Sequence, residues 1–337
     1  MSALWTPLLS AFPQAQTTAG AVLSNLGDEA SAATIVSPLT SQGILAVTGP
    51  EASKFLQGQT STDFREVSDS QSRLGCYVSL KGRAVTSYRA VQQGEQIRLV
   101  MDAALVPVVK DKIGKFIVFS KATLQVDDTT ALLGLAGPDA PALVAGLVGT
   151  PPEGADAVVA KDDVLAVRLH GSDRFLLLVK AASLATVWQQ LSAKASPAGE
   201  NAWRLRQIEA GVAQVTAASS ELFQPQELNY QVLQGVSYNK GCYTGQEIVA
   251  RLYFRGKLKQ HVQRFSASTK ALPAAGTALF AAGKHVADVV LAAQRSTDTM
   301  ELLAIARPEH GAELHLGSED GPTLSLLSLP YEVPAQE

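Results

Sequence analysis

A cysteine at the start of a predicted helix is the feature of this chain best suited to chemistry. Cys242 lies in the run 239–256, Asn-Lys-Gly-Cys-Tyr-Thr-Gly-Gln-Glu-Ile-Val-Ala-Arg-Leu-Tyr-Phe-Arg-Gly. Thr244 and Glu247 have the spacing of a capping box, which predicts a helix that begins at Thr244. The positive end of that helix and the neighbouring Lys240 both favour a thiolate over a thiol. The spacing fits a nucleophilic or metal-binding cysteine and, equally, a small buried residue in a turn.

The helix that follows the cysteine is predicted to bury one side only. Ile248, Val249 and Leu252 recur at helical spacing and predict the buried stripe. Gly256 is expected to end the helix in a left-handed conformation.

Charge is unevenly distributed along the chain. The formal net charge is -3, which argues against a global attraction to nucleic acid. Residues 240–264 nevertheless contain six Lys or Arg residues and only one acidic residue. A short basic strip on an otherwise acidic chain favours a local anionic ligand over general coating of nucleic acid, so direct tRNA binding is doubtful.

Cysteine content and the N-terminal residues predict a cytoplasmic protein. The two cysteines, Cys76 and Cys242, provide neither a disulfide framework nor a four-thiolate iron–sulfur site, which indicates a reducing compartment. Cys76 lies in an apolar strand pattern and is expected to be core. The first basic residue is Lys54, so the basic segment of a secretory signal is absent, and no apolar run predicts a membrane span.

A repeated pattern predicts two related α+β units. An apolar strand followed by Gly-Pro, an acidic residue, Ala and a helix occurs at 44–57 and again from 133. Each copy continues into a strand pair, joined at Lys81-Gly82-Arg83 in the first copy and at Gly171-Ser172-Asp173 in the second, and then into a helix. The Gly-Pro-acid turns are poor phosphate cradles, because the acid repels phosphate, and are predicted to be structural. Helices on one face of mostly antiparallel sheets are therefore expected.

The remaining segments complete the predicted domain organisation. Residues 1–35 are predicted to form an arm with a short helix. Residues 36–256 are predicted to form two interleaved α+β subdomains, about 36–125 and 126–256. Short alternating segments after Gly256 predict a small C-terminal β-barrel over 257–333.

The cysteine-containing run closely resembles the signature of a known family. Lys-Gly-Cys-Tyr-Thr-Gly-Gln-Glu, followed by Val-Ala-Arg and Phe-Arg-Gly, is similar to the signature of the YgfZ branch of the GcvT-like folate-binding proteins. The resemblance extends upstream through Ile208-Glu209-Ala210-Gly211 and Pro225-Gln226, and more weakly over nearly the whole chain. It implies three subdomains in a ring around a central folate site.

The resemblance also implies which residues hold the cofactor, tetrahydrofolate or a derivative. Trp203 matches an aromatic residue that flanks the pterin, and a flat pterin suits an indole face. Gln42 stands where YgfZ relatives can have a tryptophan, and Glu209 belongs to the matching helix. Arg251 and Arg255 are hypothesised to form a cationic rim for the acidic tail of the folate.

The function implied by the resemblance is that of an accessory protein. It would bind folate and support iron–sulfur enzymes, including those that methylthiolate tRNA. In this hypothesis Cys242 is the reactive thiol, Lys240 stabilises its thiolate, and Tyr243 fixes its direction. The thiol could transiently hold an iron–sulfur species, attack a folate-borne one-carbon group or exchange with a disulfide.

Two alternatives remain at this point. The first is a folate-dependent one-carbon transferase, but the stretch 82–87 has Thr86 and Ser87 where the aminomethyltransferases of the family carry an acidic residue. Without that carboxylate, aminomethyl transfer loses its proposed base. The second alternative is a pure folate-binding or folate-sensing module.

Overall fold

The chain folds into two units that alternate along the sequence. The computed structural model describes residues 3–18, 20–26, 32–310 and 314–334 of the 337. The predicted subdomain boundaries at 36–125, 126–256 and 257–333 remain predictions. The first unit consists of Met1–Leu56, Phe64–Arg73 and Tyr88–Arg206, and the second of Gln57–Asp63, Leu74–Ser87 and Gln207–Glu337.

A six-stranded sheet forms the centre of the first unit. Its strands are antiparallel apart from one short parallel pair. The strand Thr130–Ala136 is buried along its whole length because both faces are covered. Leu133 and Leu135 pack into the core shared with three helices, while Leu132 packs into a second core on the opposite face. The strand order is Val158–Lys161, Val164–Arg168, Arg174–Lys180, Thr130–Ala136, Ile35–Pro38, Ser196–Pro197.

A five-stranded antiparallel sheet contains the first predicted strand pair. The hairpin at Lys81-Gly82-Arg83 is confirmed: Gly82 has a φ of +70°, and the Ser79 N–H donates to the Arg83 carbonyl at 2.8 Å. The strand order is Arg73–Val78, Ala84–Gln93, Gln96–Asp102, Gln42–Thr48, Thr123–Asp127.

The two Gly-Pro-acid turns are structural, as predicted. The glycines of both turns have positive φ, at +131° and +126°, a region that disfavours residues with a Cβ. In the first turn the Glu51 carboxylate accepts the backbone N–H of Lys121 at 2.7 Å. In the second, the Asp139 carboxylate accepts the Thr34 hydroxyl at 3.0 Å. Each acid therefore fastens its turn to a neighbouring segment.

The C-terminal sheet of the second unit curls into a half-barrel. Phe265, Leu279 and Leu302 are fully buried in its core. An isolated bridge between His315 and Thr323 links the two edge strands, and the predicted small barrel is thus confirmed in this partly open form. The sheet includes a final strand that sequence reasoning missed. The strand order is His315–Leu316, Ala278–Ala281, Lys284–Gln294, Met300–Ala306, His261–Ala267, Leu324–Leu327.

The predicted N-terminal arm contains a short helix, Thr6–Leu9, and a hairpin of Gln16–Thr18 and Ala21–Ser24. Trp5 and Leu8 are buried in the helix-facing core of the first unit, so this part of the arm is packed. Residues 1, 2, 19 and 27–31 of the arm lie outside the described residues, as do 311–313 within the predicted barrel and 335–337 after it.

Other helices complete the two units. The sequence predicted those at 52–57, 103–114, 182–193 and 201–210 to within a few residues. The longer helices are Ala52–Gln57, Leu105–Gly114, Ala140–Val148, Leu184–Ser192, Glu200–Glu209 and Gln246–Arg255. The 3-10 turns are Ala3–Trp5, Phe64–Glu66, Ile117–Phe119, Ala181–Ser183, Ala217–Ser219 and Pro308–His310.

Candidate functional site

Residues 239–245 form a loop, here called the thiol loop, that presents one cysteine to solvent. Cys242 is exposed, as is Gly241 before it. Lys240 and Tyr243, on either side, are buried with 7% of each residue accessible. The loop therefore turns its thiol outward while its flanking side chains anchor it inside the second unit.

Lys240 is the main anchor of the thiol loop. Its Nζ donates hydrogen bonds to the backbone carbonyls of Thr60 at 2.6 Å and Thr62 at 2.5 Å. The same Nζ lies 4.9 Å from the ring centroid of Tyr243, within cation–π range. Lys240 and Tyr243 are thus brought together, and the ammonium ties the thiol loop to the segment 57–63. The predicted effect of Lys240 on the thiolate stays a prediction.

The helix after the thiol loop begins differently from the prediction. Gly245, in a left-handed conformation with φ +78°, precedes the helix, and no side chain caps it, so the predicted cap at Thr244 is wrong. The side chain of Gln246 instead accepts the backbone N–H of Tyr243 at 3.0 Å. A Cβ added at Gly245 would lie 2.4 Å from the Ser79 carbonyl oxygen. Close backbone approach at a glycine therefore shapes this helix start.

The C-terminal end and the buried face of this helix also differ from the prediction. Gly256 has a φ of −101°, so the predicted left-handed ending is wrong. A glycine is suited there because an added Cβ would lie 2.7 Å from the Leu252 carbonyl oxygen. Val249 is buried, whereas Leu252 is half-buried and Ile248 is 39% exposed, which makes the buried stripe narrower than predicted. Ile248 contacts the hairpin glycine, Gly82.

The second cysteine is a core residue, as predicted. Cys76 is fully buried, and its thiol donates to the Ser61 hydroxyl oxygen at 3.3 Å. Burial raises the pKa of Cys76 to about 12, although the hydrogen bond with Ser61 opposes that rise. A buried neutral thiol is inert, so Cys242 is the reactive candidate of the two.

Trp203 lies in the first unit and is almost completely buried. It is 4% exposed and belongs to the second core of that unit. A Cβ added at Gly134 would lie 2.5 Å from the indole ring, so the ring packs directly on the strand backbone. The guanidinium carbon of Arg174 lies 4.9 Å from the ring centroid. The indole therefore has a cationic and a backbone neighbour, and its role beside a pterin stays a prediction.

A buried carboxylate joins the helix of Trp203 to the turn before Gln42. Glu200 Oε1 accepts the Thr40 hydroxyl at 2.7 Å and the Ser41 backbone N–H at 2.9 Å. Burial raises the pKa of Glu200, and the hydrogen bonds from Ser41 and Thr40 oppose the rise. Gln42 itself is half-buried at the start of its strand. Glu200 escaped sequence reasoning because its partners lie about 160 residues away.

A buried charge cluster, centred on Asp156, lies in the first unit and was also missed. Asp156 is 2% exposed and pairs with Arg89 in a short contact, while Arg73 approaches at 3.9 Å and His170 at 3.5 Å. Burial lowers the pKa of His170, and the charge of Asp156 opposes that shift. Arg174 donates to the His170 carbonyl at 2.7 Å and so connects the cluster to Trp203. The cluster and its link to Trp203 involve five separate sequence positions, and no local motif predicts that they meet.

The remaining predicted residues lie in the second unit. Glu209 ends its helix and pairs with Arg295, which also pairs with Glu301. Arg251 and Arg255 are exposed on the helix after the thiol loop. Of the predicted site residues, Trp203 and Gln42 belong to the first unit and the other six to the second.

Comparison with known proteins identifies the family. No family model matches the chain. Proteins named "tRNA-modifying protein YgfZ" do match: one from Pectobacterium atrosepticum is 30% identical over 97% of this chain and 96% of its own length. The chain belongs to the YgfZ family. Others are from Photorhabdus laumondii, 29% identical over 97% of this chain and 98% of its own, and Klebsiella pneumoniae, 34% identical over 69% and 72%.

The fold of this YgfZ-family chain is GcvT-like, as the resemblance implied. Aminomethyltransferase T of the glycine cleavage system from Bartonella henselae superposes with a TM-score of 0.79, covering 98% of this chain and 97% of that one. Identity is 19%, so this likeness concerns the fold alone. Within the described residues, no helix has the length and apolar character needed to cross a bilayer.

The two hydroxyl residues predicted to stand in place of the aminomethyltransferase acid are buried in this YgfZ-family protein. Thr86 and Ser87 are 0% and 4% exposed. The Thr86 hydroxyl donates to the Ser87 carbonyl at 3.0 Å, and the Ser87 hydroxyl oxygen accepts the Val215 N–H at 2.9 Å. Both hydroxyls are buried in structural hydrogen bonds, which gives no support to the one-carbon transferase alternative.

Proposed function

We propose that this YgfZ-family protein is a cytoplasmic, tetrahydrofolate-binding accessory protein that supports iron–sulfur enzymes, including those that methylthiolate tRNA. The observation that carries the proposal is the exposure of Cys242 on a loop anchored at both sides by Lys240 and Tyr243. The name of the relatives associates them with tRNA modification.

An exposed thiol on an anchored loop suits transient bonding. The loop holds the sulfur at the surface without the entropy cost of ordering a mobile segment at each encounter. A single protein thiolate provides one ligand and not a closed metal site, so a partner would supply the others to an iron–sulfur species. The same thiol could accept a folate-borne one-carbon group or exchange with a disulfide. In each case the sulfur itself is required.

The thiol proposal is tested by complementation. In a bacterial strain that lacks its own YgfZ-family protein, Cys242→Ser is expected to abolish restoration of tRNA methylthiolation, because a hydroxyl neither ligates iron well nor exchanges. Mass spectrometry of tRNA nucleosides provides the measurement, and immunoblotting checks protein levels. Cys76→Ala is the matched control, since that thiol is buried, and should restore the modification. Full restoration by Cys242→Ser would remove the thiol from the function.

The structural support for the folate part of the proposal lies in the first unit. Glu200 fastens the helix of Trp203 to the turn before Gln42, so two proposed pterin neighbours lie on joined elements. Because Trp203 is nearly buried, its proposed contribution is a wall behind the pterin and not an open stacking face. The proposed contributions of Glu209, Arg251 and Arg255, which belong to the second unit, stay predictions from the sequence.

The folate proposal is tested by calorimetric titration with tetrahydrofolate. The wild-type protein is expected to bind in the micromolar range, and Trp203→Phe to weaken binding about tenfold through loss of aromatic contact area. Trp188→Phe is the control, because Trp188 is a buried indole in the other core of the same unit. Absence of binding to the wild type would remove folate from the proposal and leave the complementation test of the thiol untouched.

A further inference from the structure

One face of the helix Gln246–Arg255 presents an aromatic ring between cations. Phe254 is 66% exposed, and Arg251 and Arg255 are exposed three residues before it and one after it. That spacing places the three side chains on one side of the helix, opposite the buried Val249. The thiol proposal makes no use of this face, whereas its two arginines are also the residues predicted to hold the acidic tail of the folate.

The exposed ring is held by two other aromatic side chains. Tyr238 and Tyr253 stack at 3.7 Å with an interplanar angle of 13°. Phe254 stands edge-on to both, at 6.0 Å from Tyr238 and 4.9 Å from Tyr253. The Tyr238 hydroxyl is buried, so the base of the cluster lies inside the protein. A large apolar ring is therefore presented to water in a defined orientation.

The cations near the ring are available to a ligand. Arg251, Arg255, Lys257 and Lys259 are all exposed, and none of them makes an ion pair with another described residue. Glu247 is the one acidic residue between positions 240 and 264. We call this set of residues the basic–aromatic surface: Arg251, Tyr253, Phe254, Arg255, Lys257 and Lys259.

We propose that the basic–aromatic surface binds single-stranded RNA. Unpaired bases stack on aromatic rings without sequence preference, while neighbouring cations neutralise the backbone phosphates. A flat ring flanked by guanidiniums matches the alternation of base and phosphate along a strand. The carboxylates of an acidic protein would satisfy the cations but would not stack on Phe254, whereas each nucleotide brings a phosphate and a flat base together. The sequence made direct tRNA binding doubtful because the basic strip is short and the rest of the chain is acidic, and the exposed ring was not considered.

This inference goes beyond the folate and thiol proposals and requires neither. Binding of RNA is measured directly on the purified protein, without tetrahydrofolate, thiol chemistry or a client enzyme. A negative result would leave the complementation and titration experiments intact, and failure of those experiments would leave this one interpretable.

The test is fluorescence polarisation with a labelled single-stranded oligoribonucleotide of about 15 nucleotides, the upper range of a single-strand site. Phe254→Ala is expected to reduce affinity about tenfold, since one stacked base is lost. Arg251→Gln combined with Arg255→Gln should lower the slope of log affinity against log salt by about 0.7 for each phosphate contact removed. Phe119→Ala, which removes an 87% exposed ring in the first unit, and Lys284→Gln, an exposed cation elsewhere in the second, should leave binding unchanged.

Four results would overturn the proposal. The first is that the protein does not bind the RNA at about 50 mM salt, where phosphate contacts are strongest. The second is that it binds the duplex of the same sequence with equal affinity, and the third is that Phe254→Ala leaves the affinity for the single strand unchanged. The fourth is that tetrahydrofolate displaces the RNA. Displacement by folate would assign the arginines to the folate tail. Competition by polyglutamate, together with insensitivity to Phe254→Ala, would instead indicate an acidic protein partner.

Discussion

Replacing Asp156 with asparagine is expected to lower the free energy of unfolding of the first unit by about 3–5 kcal/mol. The carboxylate is 2% exposed and compensates Arg89, which is itself 8% exposed. Asparagine tolerates the positive backbone φ of +68° at this position, so the change removes charge while keeping the turn. What remains is a buried guanidinium without its counter-ion, which is the costly outcome when a buried pair is broken.

Tryptophan fluorescence during urea unfolding measures this effect, because it reports on the first unit. All three tryptophans, Trp5, Trp188 and Trp203, belong to that unit. Asp128→Asn is the control, since Asp128 is exposed in the same unit. Adding Arg89→Met to Asp156→Asn should recover part of the lost stability, because the uncompensated charge disappears. An unchanged unfolding midpoint for Asp156→Asn would contradict the account.

The second large effect is expected at Lys240. Substitution with methionine keeps most of the buried side-chain volume but removes the ammonium that binds the carbonyls of Thr60 and Thr62. Two buried acceptors then lose a charged donor, and the second unit should lose about 3 kcal/mol of stability. The cation–π contact with Tyr243 is lost as well. Both losses fall on the loop that presents Cys242.

Hydrogen exchange detected by mass spectrometry checks the Lys240 prediction. Peptides that cover 57–63 and 239–245 should exchange faster in Lys240→Met, because the hydrogen bonds that join the two segments are gone. Lys257→Met is the matched control: it removes an exposed lysine from the same part of the chain. If Lys240→Met kept wild-type exchange in both peptides and a stability within about 0.5 kcal/mol, the anchoring role would be refuted.

Local patterns predicted most of the fold. The hairpin at Lys81-Gly82-Arg83 could be predicted because its signals are local. The strand patterns on both sides and the glycine in the turn lie within about 20 residues. The repeated Gly-Pro-acid turns could be predicted for the same reason. The segments that their carboxylates bind could not be identified from the turn sequence. The immediate neighbours of Cys242 made it the candidate for chemistry but left open whether it is exposed or buried, and its exposure is known only from the structure.

Non-local contacts escaped prediction. The hydrogen bonds of the Lys240 ammonium join it to carbonyls 180 and 178 residues away, and no local pattern predicts them. Thr244 satisfied the sequence rule for a cap, but a glycine in contact with the Ser79 carbonyl shapes the helix start instead. The Asp156 cluster gathers positions scattered between 73 and 174, and only the fold brings them together. Tertiary contact overrides local preference in each case.

The alternation of the two units along the chain bears on the order of events during synthesis. Every segment of the first unit has been translated once Arg206 emerges, whereas the second unit still lacks all its residues after that point. Thr60 precedes Lys240 by 180 residues, which corresponds to about 10–35 s at ordinary translation rates. The carbonyls of Thr60 and Thr62 are therefore synthesised well before the lysine that binds them. The thiol loop can adopt its anchored conformation only late, after the first unit has had time to fold.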